Sequence, residues 1–402
     1  MPFSSYQSFW SLDPRVTFLN HGAFGACPRP VLEAQQRWRD RLEAQPLKFL
    51  GREIEELLDT ARSDLAAFVG AESGELAFIP NATTGVNAVL RSLMPQWGIG
   101  DELLTTNHEY NACRNALNYV AQTSGATIVV AEVPFPITDP EQMLEAVLAK
   151  VSERTRLVLV DHISSQTALI FPIASLTKAL RTQGIEVLID GAHAPGMIPL
   201  NLTELGATYY TGNCHKWLCA PKGAAFLYVQ RDRQAQIRPL TISHGANDPR
   251  KHRSRFHLEF DWMGTGDPSA YLCVPEAIRF MGSLLPGGWP ELMATNRNLA
   301  LAARQVLCEG LAVPPPSPDE MAGAMVSIPL ANSLPEDLYD RLVHEFQIEV
   351  PVIPWHPPLR RLIRVSAQVY NLLEQYTYLT TALKHLSVGN NFTPEKIIKN
   401  LQ

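Results

Sequence analysis

The sequence predicts an α/β fold in which a mainly parallel sheet lies between helices and is followed by a smaller α+β domain. Strand-like and helix-like segments alternate from residue 52 to residue 216, as they do in βαβ units. The remainder of the chain combines four helix-like segments with three strand-like ones. Because 402 residues are enough for two unequal domains, we predict an N-terminal arm at 1–30 that joins the small domain, a large domain at 31–267 and a small domain at 268–402.

The individual elements follow from apolar periodicity and from the turn residues that interrupt it. Predicted helices of the large domain lie at 28–45, 52–69, 86–93, 112–124 and 141–152, and predicted strands at 76–80, 101–106, 127–133, 156–161, 187–190, 207–211 and 224–229. Segment 241–257 lacks periodicity and is predicted to be a functional or interface loop. Predicted helices of the small domain lie at 269–283, 289–309, 335–346 and 371–386, and its strands at 325–330, 349–353 and 362–366.

Composition excludes several classes of protein. The formal net charge of −6 provides no basic surface for phosphate backbones, so nucleic-acid binding is not expected. The six cysteines have no regular spacing, which indicates free thiols in a reducing compartment. The first residues do not resemble a signal peptide, and no apolar run approaches the roughly 20 residues of a membrane helix. We therefore expect a soluble cytoplasmic protein.

The stretch from Glu186 to Lys216 carries the strongest functional signal. Its first apolar run ends at Asp190, which is therefore expected at the carboxyl end of a buried strand, where ligands bind in open α/β sheets. The second run ends at Gly212 and brings Lys216 to the same edge. A pyridine cofactor bound as an imine requires such a pair, since the lysine forms the imine and the acid keeps the ring nitrogen protonated. Alone, each residue could belong to a turn or a solvated surface; together they favour pyridoxal 5′-phosphate.

A phosphate site is predicted where a strand meets a helix near residue 80. Thr83 and Thr84 follow the strand that ends at Pro80, and a helix begins shortly after them. Free N–H groups of a first helical turn, the positive end of the helix dipole and two hydroxyl groups suit an anion. A plain N-cap is the alternative. Gly264, Thr265 and Gly266 offer a second anion nest, with a simple turn as its alternative.

Three other positions are candidates for contacts with a ring or a substrate. Tyr110 lies at a strand-to-helix corner, where it could stack on a pyridine ring or serve as an interface tyrosine. Arg364 alternates with apolar residues on a strand, which suits a bidentate grip on a carboxylate, or else a surface position. Asn20 and His21 lie in a glycine-rich loop that lets backbone approach a ligand, and we assign both to substrate binding; a tight turn is the alternative.

Other chemistries lack their motifs. The sequence contains no P-loop, no complete G-x-G-x-x-G and no G-x-S-x-G elbow. Cys214, His215 and Cys219 lie close together, but no partner pair has the spacing of a zinc site. We therefore predict no metal.

With these residues in view, the chain resembles the class V aminotransferase superfamily of fold-type I pyridoxal-phosphate enzymes, and within it the isopenicillin N epimerase-like branch. The resemblance covers nearly the whole chain. It rests on FLNHGAFG at 18–25, NATTG at 81–85, NHEYNAC at 107–113, DGAHAPG at 190–196, GNCHKW at 212–217, GTGDPSA at 264–270 and RVSAQVYN at 364–371.

The resemblance implies a role for each candidate residue. Lys216 would hold the cofactor covalently, Asp190 would pair with its ring nitrogen, and His193 would hydrogen-bond its phenolic oxygen. Tyr110 would stack on the ring, and Arg364 would bind the substrate's α-carboxylate. The resemblance assigns the cofactor phosphate to Thr83, Thr84 and His215, joined by Thr265 from a neighbouring subunit. A homodimer with shared active sites is implied.

The resemblance leaves the reaction open. Removal of an α-proton from an amino acid leads to epimerisation, transamination or loss of a β-substituent, depending on where a proton returns and whether the substituent leaves. We rank an isopenicillin N epimerase-like isomerase first, a C–S lyase second and an aminotransferase third. A persulfide-forming desulfurase is disfavoured because segment 350–361 lacks a cysteine nucleophile. A binding protein without catalysis is disfavoured because Lys216 and Asp190 are both present.

Overall fold

A seven-stranded sheet forms the centre of the large domain in the computed structural model, which describes residues 4–388. The strand order is β2-β8-β7-β6-β5-β3-β4. All neighbours pair in parallel except β8, which is antiparallel to both β2 and β7. The strands of the described chain are β1 Thr17–Phe18, β2 Leu76–Ile79, β3 Glu102–Thr106, β4 Thr127–Ala131, β5 Thr155–Asp161, β6 Glu186–Asp190, β7 Tyr209–Asn213, β8 Ala225–Val229, β9 Met325–Pro329, β10 Ile348–Glu349, β11 Val352–Pro354 and β12 Arg361–Ser366.

Helices cover both faces of this sheet and fill most of the small domain. They are α1 His21–Phe24, α2 Arg29–Ala44, α3 Pro46–Lys48, α4 Ile54–Val69, α5 Ala82–Leu93, α6 Asn111–Ser124, α7 Glu141–Leu148, α8 Ile173–Arg181, α9 Leu202–Leu205, α10 Arg255–Phe260, α11 Ser269–Leu272, α12 Val274–Gly282, α13 Gly288–Leu311, α14 Leu338–Phe346 and α15 Leu373–Val388. A π-helical turn, Phe49–Glu53, joins α3 to α4. None of the helices in residues 4–388 is long and apolar enough to cross a membrane; the cytoplasmic location stays a prediction.

Strand β6 shows why apolar runs form the middle of the sheet. Val187 and Ile189 contribute to one hydrophobic core, while Leu188 contributes to the core on the opposite face. All three are fully buried, and each buried aliphatic side chain contributes roughly 1.5–3 kcal/mol. Because both faces are covered, the run is continuous rather than alternating. The predicted α/β class with a mainly parallel seven-stranded sheet is confirmed.

The small domain is built on the antiparallel sheet β11-β12-β9, which packs on α13, and α13 in turn packs on α15. The N-terminal segment reaches this domain through β1, which pairs in parallel with β10. Leu19, directly after β1, is fully buried in the small domain's hydrophobic core. The domain limits stay a prediction, and 1–3 and 389–402 of the predicted arm and small domain lie outside the described residues.

Capping side chains explain two of the differences between the structure and the predicted elements. Helix α5 begins at Ala82 rather than Val86, because Asn81 accepts a hydrogen bond from the Thr84 N–H. The prediction of a loop through residue 257 was wrong at its end: Ser254 caps α10 by accepting from His257 N–H. The predicted glycine-rich loop after Asn20 is in fact the single helical turn α1.

Candidate active site

A cavity of about 350 Å³ opens at the carboxyl edge of the central sheet. Its walls include the last residues of β5 and β6, the loop between β7 and β8, and the amino-terminal ends of α5 and α6. Six of the predicted site residues line it: Thr83, Tyr110, Asp190, His193, His215 and Lys216. The fold therefore brings residues that are far apart in sequence to one crevice, at the edge where parallel sheets bind ligands.

Asp190 is the last residue of β6 and is almost completely buried. Its Oδ1 accepts the Ala192 N–H at 2.9 Å, and its Oδ2 accepts the Cys113 thiol at 3.1 Å. These bonds fix the carboxyl group against the cavity wall. A carboxylate oxygen has two acceptor positions, so each oxygen can accept a further donor such as a pyridinium N–H.

Lys216 lies in the turn between β7 and β8, with its Nζ 3.1 Å from His193 Nε2. The Trp217 indole N–H donates to His193 Nδ1 at 3.5 Å, which places the proton of a neutral imidazole on Nε2. Burial lowers the pKa of His193 well below its ordinary value, so the ring is neutral. Nε2–H then points at the amine, which can accept it only when the amine is unprotonated. Burial, followed by the charge of Arg364, lowers the pKa of Lys216 to about 8.

Covalent attachment of pyridoxal phosphate to the apoprotein should accelerate as the pH rises and level off above about 8. The pKa of Lys216 is lowered to about 8, and only the neutral amine attacks a carbonyl carbon. Below that value the rate should fall by about tenfold per pH unit. Rapid mixing of apoprotein with cofactor measures it, and the same titration with a free lysine derivative corrects for the cofactor's own ionisation. A corrected rate that still climbs about tenfold between about pH 8 and pH 9 would show an ordinary lysine.

The two threonines predicted to bind phosphate lie at the amino-terminal end of α5 but have different hydrogen-bond partners. Both the N–H and the hydroxyl of Thr84 donate to the Asn81 side chain, at 2.9 and 3.0 Å. Thr84 is not among the residues that line the cavity, and its phosphate contact stays a prediction. Thr83 lines the cavity, and its hydroxyl has no partner within residues 4–388, which leaves it available to an anion at the helix N-terminus.

His215 also lines the cavity, but its ring is partly committed. Its Nδ1 lies 3.0 Å from the Ala224 carbonyl oxygen and donates to it. Burial lowers the pKa of His215 to about 4, so Nε2 is an acceptor at neutral pH. A role at the phosphate therefore requires a second proton on the ring, which the negative charge of a neighbouring phosphate favours.

Tyr110 lies at the mouth of the cavity, whereas Arg364 lies buried behind its wall. Tyr110 is the residue before α6, lines the cavity and is 42% exposed, so its ring stands at the mouth. Arg364 is 4% exposed, which rules out a surface position. Its Nη1 donates to the Ser165 carbonyl at 2.5 Å and to the Ser165 hydroxyl at 3.1 Å, while its Nε is buried without a partner. Ser165 lines the cavity, so the guanidinium lies just behind that wall.

Besides Thr84 and Arg364, three further predicted residues do not line this cavity. The His21 ring is used by the Tyr370 hydroxyl at 2.8 Å and the Lys216 carbonyl at 3.1 Å. Asn20 donates to Glu349 at 3.3 Å. The substrate contacts of both residues stay predictions, and in this structure His21 supports the backbone of the lysine. Thr265 is exposed on a separate surface, so its phosphate contact requires another subunit and stays a prediction.

Sequence reasoning missed several residues of the site. Asp161 ends β5 and lines the cavity beside Asp190, with which it is in register. The signal was present, because its apolar run ends in an acid just as that of Asp190 does. Glu109 and Cys113, which surround Asp190, had no such signal, since they reach it only through the packing of α6.

The site has the groups that pyridoxal phosphate requires: a buried amine, a carboxylate with a free acceptor position, and a helix N-terminus with an unpaired hydroxyl. The sequence profile of the family described as aminotransferase class-V matches residues 17–352. The chain belongs to this family. The predicted family is thereby confirmed.

Other proteins of known sequence or structure are similar to this class V chain over most of its length. An isopenicillin N epimerase of Amycolatopsis lactamdurans is 37% identical over 396 residues, covering 94% of this chain and 96% of the relative. A putative L-cysteine desulfhydrase of Oryza sativa subsp. japonica is 29% identical, covering 95% and 85%. A solved structure of a C-DES mutant, with glycine covalently linked to the PLP cofactor, has a TM-score of 0.79 at 22% identity and covers 94% of this chain and 99% of that one.

These findings confirm three predictions from the sequence. The protein is a class V enzyme of fold type I. The resemblance to the isopenicillin N epimerase-like branch is confirmed by the first relative. Its cofactor is pyridoxal 5′-phosphate, which acts on small-molecule amino-acid substrates in this family.

Proposed function

We propose that this class V enzyme removes the α-proton of an amino acid and returns it with inversion, as an isopenicillin N epimerase-like isomerase. The arrangement that carries the proposal is the buried Lys216 amine, 3.1 Å from His193, in the same cavity as Asp190. The identity of 37% to an isopenicillin N epimerase over nearly the whole chain supports the choice of reaction. When bound, pyridoxal phosphate supplies an electron sink that stabilises negative charge at the substrate's Cα.

Lys216 is proposed as both the covalent anchor and the general base. When Lys216 is not bonded to the cofactor, its neutral amine would accept the α-proton. His193 holds that amine in place through Nε2 and, by the resemblance, reaches the phenolic oxygen. Asp190 keeps a proton on the ring nitrogen, because its carboxylate is fixed by Ala192 and Cys113. A ring that is protonated in this way would accept the negative charge that forms at Cα when the α-proton is removed.

Substrate orientation is proposed for Arg364 and Tyr110. Arg364 carries the charge that suits an α-carboxylate, and its unpaired Nε and buried position would make such a contact strong. Tyr110 stands at the cavity mouth, where its ring can cover one face of the cofactor and exclude water. Thr83 is proposed for the phosphate. We also propose a homodimer in which Thr265, exposed on its own chain, completes the partner's phosphate site.

Replacing Arg364 with lysine should raise KM for an amino-acid substrate by about 10- to 100-fold while changing kcat less. Lysine keeps the charge but loses the planar fork, and a charge-assisted hydrogen bond contributes about 1.5–3 kcal/mol. Arg361 is a matched control on the same strand, because it donates to the Leu334 and Pro335 carbonyls instead. Arg361→Lys should leave KM within about twofold. Equal effects of the two substitutions would remove Arg364 from substrate binding.

A C–S lyase is the second candidate, because a putative L-cysteine desulfhydrase matches 95% of the chain. Purified holoenzyme should be incubated in deuterium oxide with a panel of L-amino acids, and separately with L-cysteine and its S-conjugates. The proposal predicts deuterium at Cα and loss of optical rotation without release of pyruvate. Pyruvate together with thiol or sulfide would replace it with the lyase, and a keto acid with transfer of the amino group would indicate an aminotransferase.

A further inference from the structure

Three carboxyl groups meet beside the cavity, and the proposed function uses only that of Asp190. Asp161 and Asp190 end the adjacent parallel strands β5 and β6 and are in register with each other. Glu109 approaches from the start of α6: one oxygen of Glu109, the Cys113 sulfur and one oxygen of Asp190 all lie within 4.8 Å of one another. The three carboxyl residues are between 2% and 5% exposed. The fold thus concentrates acids where solvent cannot separate their charges.

The three carboxyl groups differ in the hydrogen bonds that they accept. Both oxygens of Asp190 accept hydrogen bonds, from Ala192 and Cys113. Glu109 Oε2 accepts the Thr105 hydroxyl at 3.0 Å, but its Oε1 is buried and has no partner among residues 4–388. Asp161 Oδ2, on the wall of the cavity, is likewise buried and has no partner in this described part of the chain. The environment therefore supports a charged Asp190 on both of its oxygens, whereas Glu109 and Asp161 each have one buried oxygen that would be unsupported as an anion.

Electrostatics point in the same direction. Burial, followed by repulsion from Asp190, raises the pKa of Glu109 well above its ordinary value. Burial, followed by repulsion from Glu109 and Asp190, does the same to the pKa of Asp161. The cations that face the cluster are Lys216, towards Asp161, and Arg114, towards Glu109. One negative charge, not three, is the state that this burial supports.

We propose that Glu109 and Asp161 are positioning residues that stay uncharged, so that the cluster carries a single negative charge located on Asp190. This inference rests on the role proposed for Asp190 at the ring nitrogen. One buried carboxylate opposite one pyridinium is a balanced pair, whereas two further anions would be uncompensated. The two neutral acids place polar groups around Asp190, so that the negative charge stays on its carboxylate. They thereby determine how strongly the Asp190 carboxylate keeps a proton on the ring nitrogen.

The test compares the thermal stability of holoenzyme variants across pH. A carboxyl group that is neutral in the folded state ionises on unfolding once the pH exceeds its unfolded pKa of about 4, so it loses stability as pH rises towards its folded pKa. Glu109→Gln and Asp161→Asn are neutral at every pH and lack this loss. Their Tm relative to wild type should therefore rise by about 3–6 °C between about pH 5 and pH 8. Lys216, Arg114 and Cys113 are common to all the proteins compared, so their titration largely cancels.

Cofactor binding provides the second readout. Glu109→Gln and Asp161→Asn should bind pyridoxal phosphate within about twofold of wild type, with the same visible-absorbance titration, because a neutral amide replaces a neutral acid. Glu109→Leu, which keeps the volume but removes the polar group, should shift that titration. A Tm difference that stays flat or shrinks with pH for both amide variants would overturn the inference. Asp190→Asn separates the two proposals: if it keeps wild-type cofactor affinity and spectrum, the role of Asp190 fails instead.

Discussion

Replacing Lys216 with alanine should abolish the covalent attachment of pyridoxal phosphate and lower kcat/KM by at least about 10³-fold. The substitution removes the only proposed nucleophile and the general base together, and loss of a general base alone costs about 10²–10⁴ in rate. The fold should survive, because Lys216 makes one side-chain hydrogen bond, to His193. Absorbance of the purified protein, mass spectrometry and the rate of α-proton exchange measure the effect.

Lys222 is the matched control for this substitution. It lies six positions further along (222 − 216), and its Nζ donates to the Gly25 carbonyl at 2.8 Å. Lys222→Ala should therefore keep a covalently bound, visibly coloured cofactor. If Lys216→Ala remained coloured and Lys222→Ala did not, the anchoring lysine would have been assigned to the wrong position.

Replacing Asp190 with asparagine should lower the rate of α-proton exchange by about 10²–10⁴-fold while the fold is retained. Asparagine can still accept the Ala192 N–H, which Asp190 binds at 2.9 Å, but it carries no charge to hold a proton on the ring nitrogen. The unprotonated ring is a weaker electron sink. Stability should change little, because asparagine has nearly the same volume as aspartate.

The measurement is deuterium exchange at Cα under saturating substrate, with the Tm taken on the same samples. A variant that exchanges at the wild-type rate would show that the ring nitrogen is protonated by another group or does not need protonation. A variant that simply unfolds would be distinguished by its Tm, and Asp190→Glu would then be used to keep the charge.

The central pair of residues could be predicted because strand ends are readable in sequence. Apolar runs that stop at Asp190 and shortly before Lys216 specify strands, and parallel strands bring their carboxyl ends to one edge. The same rule could have found Asp161, which ends a third such run. The local sequence pattern therefore predicts which residues lie at the carboxyl edge of the sheet, and most of the site residues lie at that edge.

The features that the sequence could not specify concern groups whose partners are distant in sequence. His21 has the residue type of a ligand contact, yet the structure commits its ring to Tyr370 and to the backbone of Lys216. The alternating strand allowed Arg364 to be either a carboxylate-binding residue or a surface residue, and only its packing against Ser165 shows that it is buried. Glu109 reaches Asp190 only because α6 packs at the sheet edge. No local pattern specifies such contacts, since they arise from tertiary packing.

The central claim is that Lys216 is the residue that binds pyridoxal phosphate covalently in the cavity that also contains Asp190. Reduction of the holoenzyme with borohydride, followed by digestion and peptide sequencing by mass spectrometry, tests it most directly. We predict a single pyridoxyl-modified peptide that contains Lys216, with loss of the visible absorbance. A modification on any other lysine, with Lys216 recovered unmodified, would contradict this assignment.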